Sequence, residues 1–285
     1  MNYKKGAMNM LKLGFNEATC KENSSVENDL KLCEKYGFDY IELRLDMLKD
    51  YLKEHTLEDL KHYFESHQLK PFAFNSIEDI NFTTEDEWKK VKDLFLFGCE
   101  AAQAIGNPYL IVVPTVKEGM QLLTEEEVFN DSVKVLNELA DLAEPYGVKL
   151  AFEPIGDRRW CCNSLRQAWE IVQAVDRESV GLTIDCINFY MHDKCADLEY
   201  ISKIPKEKIF VFHINDCEDL PLRVLDHCHR IMPGKGCIPV KDIADRIKQT
   251  GYDQIASLEL FRPEYWQMDA EAVIAMGAEA CSKYL

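Results

Sequence analysis

Short apolar runs alternate with longer amphipathic segments along the whole chain. The apolar runs are rich in β-branched and aromatic residues and show little polar alternation, which is typical of strands buried on both faces. They occupy residues 11–16, 40–43, 71–75, 109–114, 148–154, 180–185, 209–215 and 255–260. The pattern therefore predicts a parallel sheet with helices packed around it.

The amphipathic segments have the period of helices and several carry helix start and stop signals, such as Thr124 before three glutamates and Gly106 and Gly147 just past helix ends. They cover residues 26–36, 57–67, 85–104, 125–146, 165–175, 240–250 and 270–284, with a weaker one at 196–204. Strand–helix units in this succession predict an α/β fold, a (β/α)8 TIM barrel forming one domain over residues 11–285. We expect residues 1–10 to be a disordered leader.

Three connections are longer than the others, at residues 76–84, 156–163 and 215–239. In a barrel of this kind, the loops that follow strands lie on the face that carries the functional site. We therefore expect these loops to form the walls and cover of a site.

Composition narrows the class of protein. The formal net charge of −17 repels phosphate backbones, and no basic stripe offsets it, so we expect neither nucleic acid nor an anionic membrane surface as a partner. The 11 cysteines include no C-x-x-C pair, which favours free thiols in a reducing compartment. No apolar run is long enough for a signal peptide or a membrane span, so we expect a cytoplasmic protein.

Four residues with metal-binding side chains stand at the ends of the last four predicted barrel strands: Glu153, Asp185, His213 and Glu259. Because the carboxyl ends of parallel strands meet at one rim of a barrel, these side chains are expected to converge. Three carboxylates and one imidazole suit Mn²⁺, Mg²⁺, Co²⁺ or Zn²⁺. The sequence therefore predicts a site for one divalent metal ion.

Each of these residues also has a purely structural interpretation. The alternatives are an ion pair of Glu153 with Arg158 or Arg159, a helix cap by Asp185, a core position for His213, and an ion pair of Glu259 with Arg262. Clustering all four at one rim is unfavourable unless a cation compensates the carboxylates, which favours the metal. The chain has no G-x-S-x-G, Walker A or H-E-x-x-H motif, and PGKG at 233–236 is not followed by a helix start.

The segments around these residues resemble the xylose-isomerase-like superfamily of sugar phosphate isomerases and epimerases. They are TID ending at Asp185, HINDCED from His213, RIMPGKG from Arg230 and SLELFRPEYW around Glu259. FNEAT at 15–19, LCEKYGFDYIELR at 32–44 and AEPYGVKLAFE at 143–153 extend the similarity over nearly the whole chain. Within the superfamily, the resemblance is strongest to isomerases of 2-keto-myo-inositol, enzymes of inositol catabolism.

The resemblance implies a role for each of the four residues. Glu153 and Glu259 would be both metal ligands and the acid/base pair, whereas Asp185 and His213 would be ligands alone. The implied reaction starts with removal of a proton α to the substrate carbonyl and passes through a cis-enediolate. It moves the carbonyl by one carbon on a small-molecule keto-polyol or ketose and needs no organic cofactor.

The surroundings of the four residues are expected to select the substrate. The candidate substrate contacts are Glu42, Arg44, Asn75, Trp160, Asn188 and Arg230, with Asn16 as a further pocket-lining residue. Glu42 and Arg44 can instead pair with each other, since residues two apart on a strand share a face. Arg230 can hold its loop over the site or be a surface charge.

Two positions depart from the related sugar epimerases, which usually carry histidine at the place of Asn188 and arginine at that of Asp219. The missing arginine argues against a free-ketose 3-epimerase. The alternatives that stay open are a metal-dependent lyase or dehydratase, an epimerase of a keto-sugar, and a non-catalytic barrel that serves as a subunit. A homo-oligomer is possible in each case. The acidic charge disfavours the DNA-repair endonuclease branch of the superfamily.

Overall fold

Eight parallel strands close into a barrel in the computed structural model, which describes residues 10–285. The barrel strands are β1 (Lys12–Asn16), β2 (Tyr40–Arg44), β3 (Lys70–Ile77), β4 (Tyr109–Val112), β5 (Lys149–Phe152), β6 (Val180–Asp185), β7 (Ile209–Ile214) and β10 (Ile255–Leu258). A separate antiparallel hairpin pairs β8 (Asp216–Cys217) with β9 (Arg230–Ile231). The predicted barrel is confirmed, and residues 1–9 of the predicted leader lie outside the described part of the chain.

Helices connect the barrel strands and cover the outside of the barrel. They are α1 (Val26–Lys35), α2 (Leu45–Tyr51), α3 (Leu57–Ser66), α4 (Glu85–Ile105), α5 (Glu125–Ala143), α6 (Leu165–Val175), α7 (Cys186–Asp193), α8 (Val240–Gln249), α9 (Pro263–Trp266) and α10 (Ala270–Cys281). None of these described helices is long and apolar enough to cross a membrane.

Local sequence fixes several helix ends. Thr84 and Thr124 each accept a hydrogen bond from the backbone N–H of the third helical residue, whose glutamate side chain accepts one in return. Helix α5 is three residues shorter than the predicted segment 125–146 because Pro145 lacks the N–H that would continue it, and a 3-10 turn follows.

Three of the described α-helices were not predicted from the sequence. Helix α7 starts directly after β6, and its sequence CINFYMHD is too uniformly apolar to show a helical period. The weak segment predicted at 196–204 is instead a 3-10 helix, Leu198–Lys203. The short helices α2, after β2, and α9, after β10, were also missed.

The long loop at 215–239 is held together by one buried carboxylate, that of Asp216. Its oxygens accept hydrogen bonds from the backbone N–H groups of Gly234, Gly236 and Ile238 at 2.8–3.0 Å. A Cβ at Gly236 would lie 2.0 Å from the carbonyl oxygen of Cys217, so only glycine fits there. The N–H groups that a phosphate loop would offer are therefore taken by Asp216.

All eleven cysteines are free thiols, as the sequence predicted. Two of them, Cys20 and Cys33, lie beside the buried acidic residues Glu17, which directly follows β1, and Asp29, on helix α1. Burial raises the pKa of Asp29 to about 8, and burial together with the Asp29 charge raises the pKa of Glu17 well above its usual value. Asp29 is therefore mostly protonated at neutral pH.

Because of this pair of acidic residues, we expect the folded chain to lose stability as the pH rises. The pKa of Asp29 is about 8 in the folded chain, well above that of an aspartate in the unfolded chain, so its contribution to stability falls as pH rises between those two pKa values. We expect Asp29→Asn to be more stable than the wild type at pH 9 and to lose this advantage at pH 4. Thermal unfolding across this range tests it, with the exposed Asp50→Asn as control. An advantage that does not change with pH would contradict this account.

Candidate metal centre

The barrel register brings the four predicted metal ligands to one level. His213 on β7 lies in register with Asp185 on β6 and with Ser257 on β10. Glu259 follows Ser257 by two residues and Glu153 directly follows β5, so both carboxylates stand at the same rim. The carboxyl ends of four adjacent parallel strands thus supply the four side chains.

These four side chains form one compact cluster. One ligand atom of each lies within 4.8 Å of one from every other member. The Nδ1 atom of His213 is 3.2 Å from Glu259 Oε2, 3.5 Å from Glu153 Oε1 and 3.8 Å from Asp185 Oδ2. All four residues are buried, with exposures of 4% or less. The geometry suits a single ion surrounded by three oxygens and one nitrogen.

The orientation of His213 shows that the cluster fits a metal ion. Its Nε2 atom lies 3.2 Å from Glu42 Oε2, and because a carboxylate only accepts, Nε2 carries the proton. When a metal ion takes the place of the proton on Nδ1, the lone pair of that atom faces the three carboxylates. Nδ1 has no hydrogen-bond partner among the described residues. A buried imidazole fixed in this tautomer by a carboxylate is a common arrangement around protein-bound metals.

Amide side chains hold one oxygen of each carboxylate. Asn188 donates to Glu153 Oε1 at 3.0 Å, whereas Asn75 and Asn16 donate to Glu259 Oε1 at 2.8 and 3.2 Å. A further amide, Asn215, donates to Asp185 Oδ2 at 2.7 Å. The sequence analysis missed Asn215, although its position two residues after His213 was a usable signal, since alternate strand residues share a face.

Asp185 serves two purposes. Its Oδ1 atom accepts from the backbone N–H of Asn188 at 2.8 Å and so caps helix α7, as one of the structural interpretations expected. Its Oδ2 atom points into the cluster. The cap and the cluster position are therefore compatible rather than alternatives.

Arg230 is the buried cation of this rim. Its guanidinium lies 3.0 Å from Asp185 Oδ2 and 3.0 Å from Glu259 Oε2, and the residue is 1% exposed. The surface position that the sequence left open for Arg230 is therefore wrong. The hairpin β8–β9, with the loop that Asp216 holds, places this charge over the cluster.

The two glutamates of the cluster differ in acidity. Burial lowers the pKa of His213, but the charges of Glu259, Glu42 and Glu153 outweigh it and raise that pKa well above its usual value, so the imidazole is charged when no ion replaces its proton. Burial raises the pKa of Glu153 to about 7, in spite of the opposing charge of His213. Burial also acts to raise the pKa of Glu259, but His213 and Arg230 outweigh it and hold that pKa well below its usual value. Two carboxyl groups with separated pKa values are suited to different roles in proton transfer.

The ion pairs considered as alternatives do not form. Arg159 pairs with Asp157 and Asp226, and Arg262 pairs with Glu218 and Glu264. Arg158 forms no ion pair among the described residues. Glu153 and Glu259 are thus free of the arginines proposed for them.

The predicted substrate contacts fall into two groups. Asn75, Asn188 and Arg230 contact the cluster directly, whereas Glu42 is buried and contacts Nε2 of His213. A contact of Glu42 with the substrate stays a prediction.

Three further residues lie at or beyond the rim. Arg44 pairs with Asp46 rather than with Glu42 and lies above the ring of Phe261. Trp160 lies in the loop 156–163, which bridges to Val116. Asp219 is exposed in the loop after β8.

Replacement of Glu42 is expected to lower the affinity for the metal. Because Glu42 fixes the tautomer of His213, Glu42→Gln is expected to weaken metal binding by about 10- to 100-fold. Isothermal titration of the metal-free protein with Zn²⁺ measures this. Asp29→Asn, which alters a buried carboxyl away from the cluster, is the matched control. Unchanged zinc affinity in Glu42→Gln would show that Glu42 does not orient the ligand.

Fold and donor set together define a barrel of the metal-dependent sugar isomerase type. The chain belongs to the xylose isomerase-like TIM barrel family, whose model matches residues 30–284. The family resemblance read from the sequence is therefore confirmed.

Similar proteins cover nearly the full chain. The inosose isomerase of Bacillus subtilis (strain 168) is 42% identical over 93% of this chain and 94% of its own length. That of Halalkalibacterium halodurans is 42% identical over 93% of each chain. A crystal structure of the IolI protein with a bound zinc atom superposes with a TM-score of 0.91 at 40% identity, covering 96% of this chain and 99% of that one.

Proposed function

We propose that this protein is a metal-dependent isomerase that moves the carbonyl group of a cyclic keto-polyol, 2-keto-myo-inositol, by one carbon. The observation that carries the proposal is the buried pair Glu153 and Glu259 beside the unpartnered Nδ1 of His213. Similarity to inosose isomerases at about 40% identity over more than nine tenths of the chain supports this substrate.

The four residues Glu153, Asp185, His213 and Glu259 would hold one divalent ion. When bound, the ion supplies a Lewis acid that polarises the substrate carbonyl. Zinc in the similar IolI structure and the mixed oxygen and nitrogen donors here support Zn²⁺, while Mn²⁺ fits the same donors.

Proton transfer between carbons is assigned to the two glutamates. Glu259 accepts the proton α to the carbonyl, and Glu153 donates a proton to the former carbonyl carbon. Asn75 and Asn188 each hold one oxygen of these glutamates by a hydrogen bond.

Two further features suit the intermediate. The charge of Arg230 lies beside both Asp185 and Glu259, where it stabilises the negative charge of the cis-enediolate. The near-complete burial of the cluster excludes water that would weaken these interactions. The occupied N–H groups of the PGKG loop support an unphosphorylated substrate.

Incubation with 2-keto-myo-inositol tests the function. We expect the metal-loaded protein to convert it to an isomeric inosose with the carbonyl on the neighbouring carbon. ¹³C NMR monitors the conversion. Addition of a chelator should stop the conversion. An unsaturated product would identify a dehydratase instead, and an unchanged substrate would contradict the proposal.

A further inference from the structure

His227 is a titratable residue at the rim that the roles assigned above do not use. It lies in the loop 215–239, and its ring stands between those of Trp160 and Phe261, with centroids 6.5 and 5.9 Å away. The same Phe261 ring contacts the guanidinium of Arg230 at 5.0 Å. Since Arg230 touches Asp185 and Glu259, the Phe261 ring and the Arg230 guanidinium link His227 to the cluster.

The imidazole of His227 is held by stacking alone. Among the described residues, neither ring nitrogen has a hydrogen-bond partner on the protein, whereas the backbone N–H of His227 is bound by Asp226. Burial and the charge of Arg230 lower the pKa of His227 to about 4. At neutral pH the ring is therefore neutral, with one nitrogen that donates and one that accepts.

The proposed isomerisation requires a second proton transfer besides the one between carbons. Moving the carbonyl from one carbon to its neighbour converts one hydroxyl oxygen to a carbonyl oxygen. It also converts the original carbonyl oxygen to a hydroxyl oxygen. One hydroxyl proton must therefore leave the first oxygen and another must reach the second. The group that does this has to accept and donate a proton within one turnover.

The amides and charged groups that contact Glu153 and Glu259 do not fill that role. Asn16, Asn75 and Asn188 carry amides, which do not exchange protons at neutral pH, and the guanidinium of Arg230 stays protonated. Glu153 and Glu259 are assigned to the carbons. His227 is the neutral imidazole adjacent to this group of residues.

We propose that His227 carries the proton between the two substrate oxygens, an inference that rests on the proposed isomerase function. In the forward direction Glu259 takes the α proton, and His227 takes the proton of the adjacent hydroxyl. The electron pair of that O–H bond forms the new carbonyl, and the double bond of the enediolate takes a proton from Glu153 at the former carbonyl carbon. His227 then donates its added proton to the former carbonyl oxygen, so the ring ends unchanged and no oxidant is needed.

A comparison of exchange with isomerisation tests this role. In D₂O, the enediolate returns to substrate labelled at the α carbon without any transfer between oxygens, whereas isomer formation requires that transfer. Two variants separate chemistry from packing: His227→Phe keeps an aromatic ring in the stack, and His227→Asn keeps a polar side chain. Both rates are followed by ¹H NMR with saturating Zn²⁺, beside the wild type.

We expect both variants to form isomer about 100-fold more slowly while exchange of the α proton stays within about threefold of the wild type. Isomer formation by His227→Phe at the wild-type rate would overturn the proposal. Equal loss of exchange and isomerisation in both variants would also overturn it and assign His227 to substrate binding. A wild type that shows neither reaction would instead refute the proposed isomerase function itself.

Discussion

Glu259→Gln is expected to lower kcat by about 10³-fold, because it removes the carboxylate that accepts the α proton. The glutamine has nearly the same shape and keeps an oxygen that Asn75 can hydrogen-bond, so the loss should fall on kcat more than on KM. Steady-state kinetics with 2-keto-myo-inositol measure both constants. Assays at saturating metal, with the bound zinc determined, distinguish a loss of kcat caused by the missing base from one caused by weaker metal binding.

Glu153→Gln provides the second half of this test. It removes the proposed proton donor, and we expect a comparable loss of kcat with the metal still bound. Glu264→Gln, five residues after Glu259 and exposed on helix α9, is the matched control and should keep full activity. If Glu153→Gln and Glu259→Gln both turn over normally with bound metal, the acid/base assignment is wrong.

Metal binding is expected to have the second large effect, on stability. An ion that binds only the folded chain stabilises it by about 4 kcal/mol at a thousandfold excess over its Kd. For a domain of this size, that corresponds to a rise in Tm of about 10 °C. The reason lies in the three buried carboxylates beside His213, whose mutual repulsion the cation relieves.

Differential scanning fluorimetry of chelator-treated protein, with and without Zn²⁺, measures this shift. His213→Asn should lose most of it, because the Nδ1 ligand is gone. His55→Asn is the matched control, since His55 lies at the surface beside Glu27 and far from the cluster in the chain. An equal shift in His213→Asn and wild type would place the stabilising ion elsewhere.

The sequence predicted the barrel and the convergence of the four residues for a simple geometric reason. Parallel strands end at a common rim, so Glu153 and Asp185, at the ends of neighbouring apolar runs, had to lie close together. Periodicity failed where it was weak, as in helix α7, whose first turn carries Asn188 against Glu153. A helix buried on most sides shows no polar face.

Contacts across the barrel and within the long loop could not be predicted from the spacing of residues along the sequence. Glu42 on β2 meets His213 on β7 through the barrel interior, a contact between strands that are not neighbours. The buried position of Arg230 depends on Asp216, which folds the loop through three backbone hydrogen bonds. Both arrangements are set by tertiary structure.

The most direct test of the account is the fate of solvent deuterium during conversion of 2-keto-myo-inositol in D₂O. With separate glutamates serving the two carbons, the proton donated by Glu153 comes from solvent. We therefore expect an isomeric product that carries deuterium at the former carbonyl carbon, seen as the absence of a ¹H NMR signal from that position. An isomer that carries protium at that carbon, moved there from the α carbon, would indicate a direct hydride shift or return of the same proton by one base, and would contradict transfer by two separate glutamates.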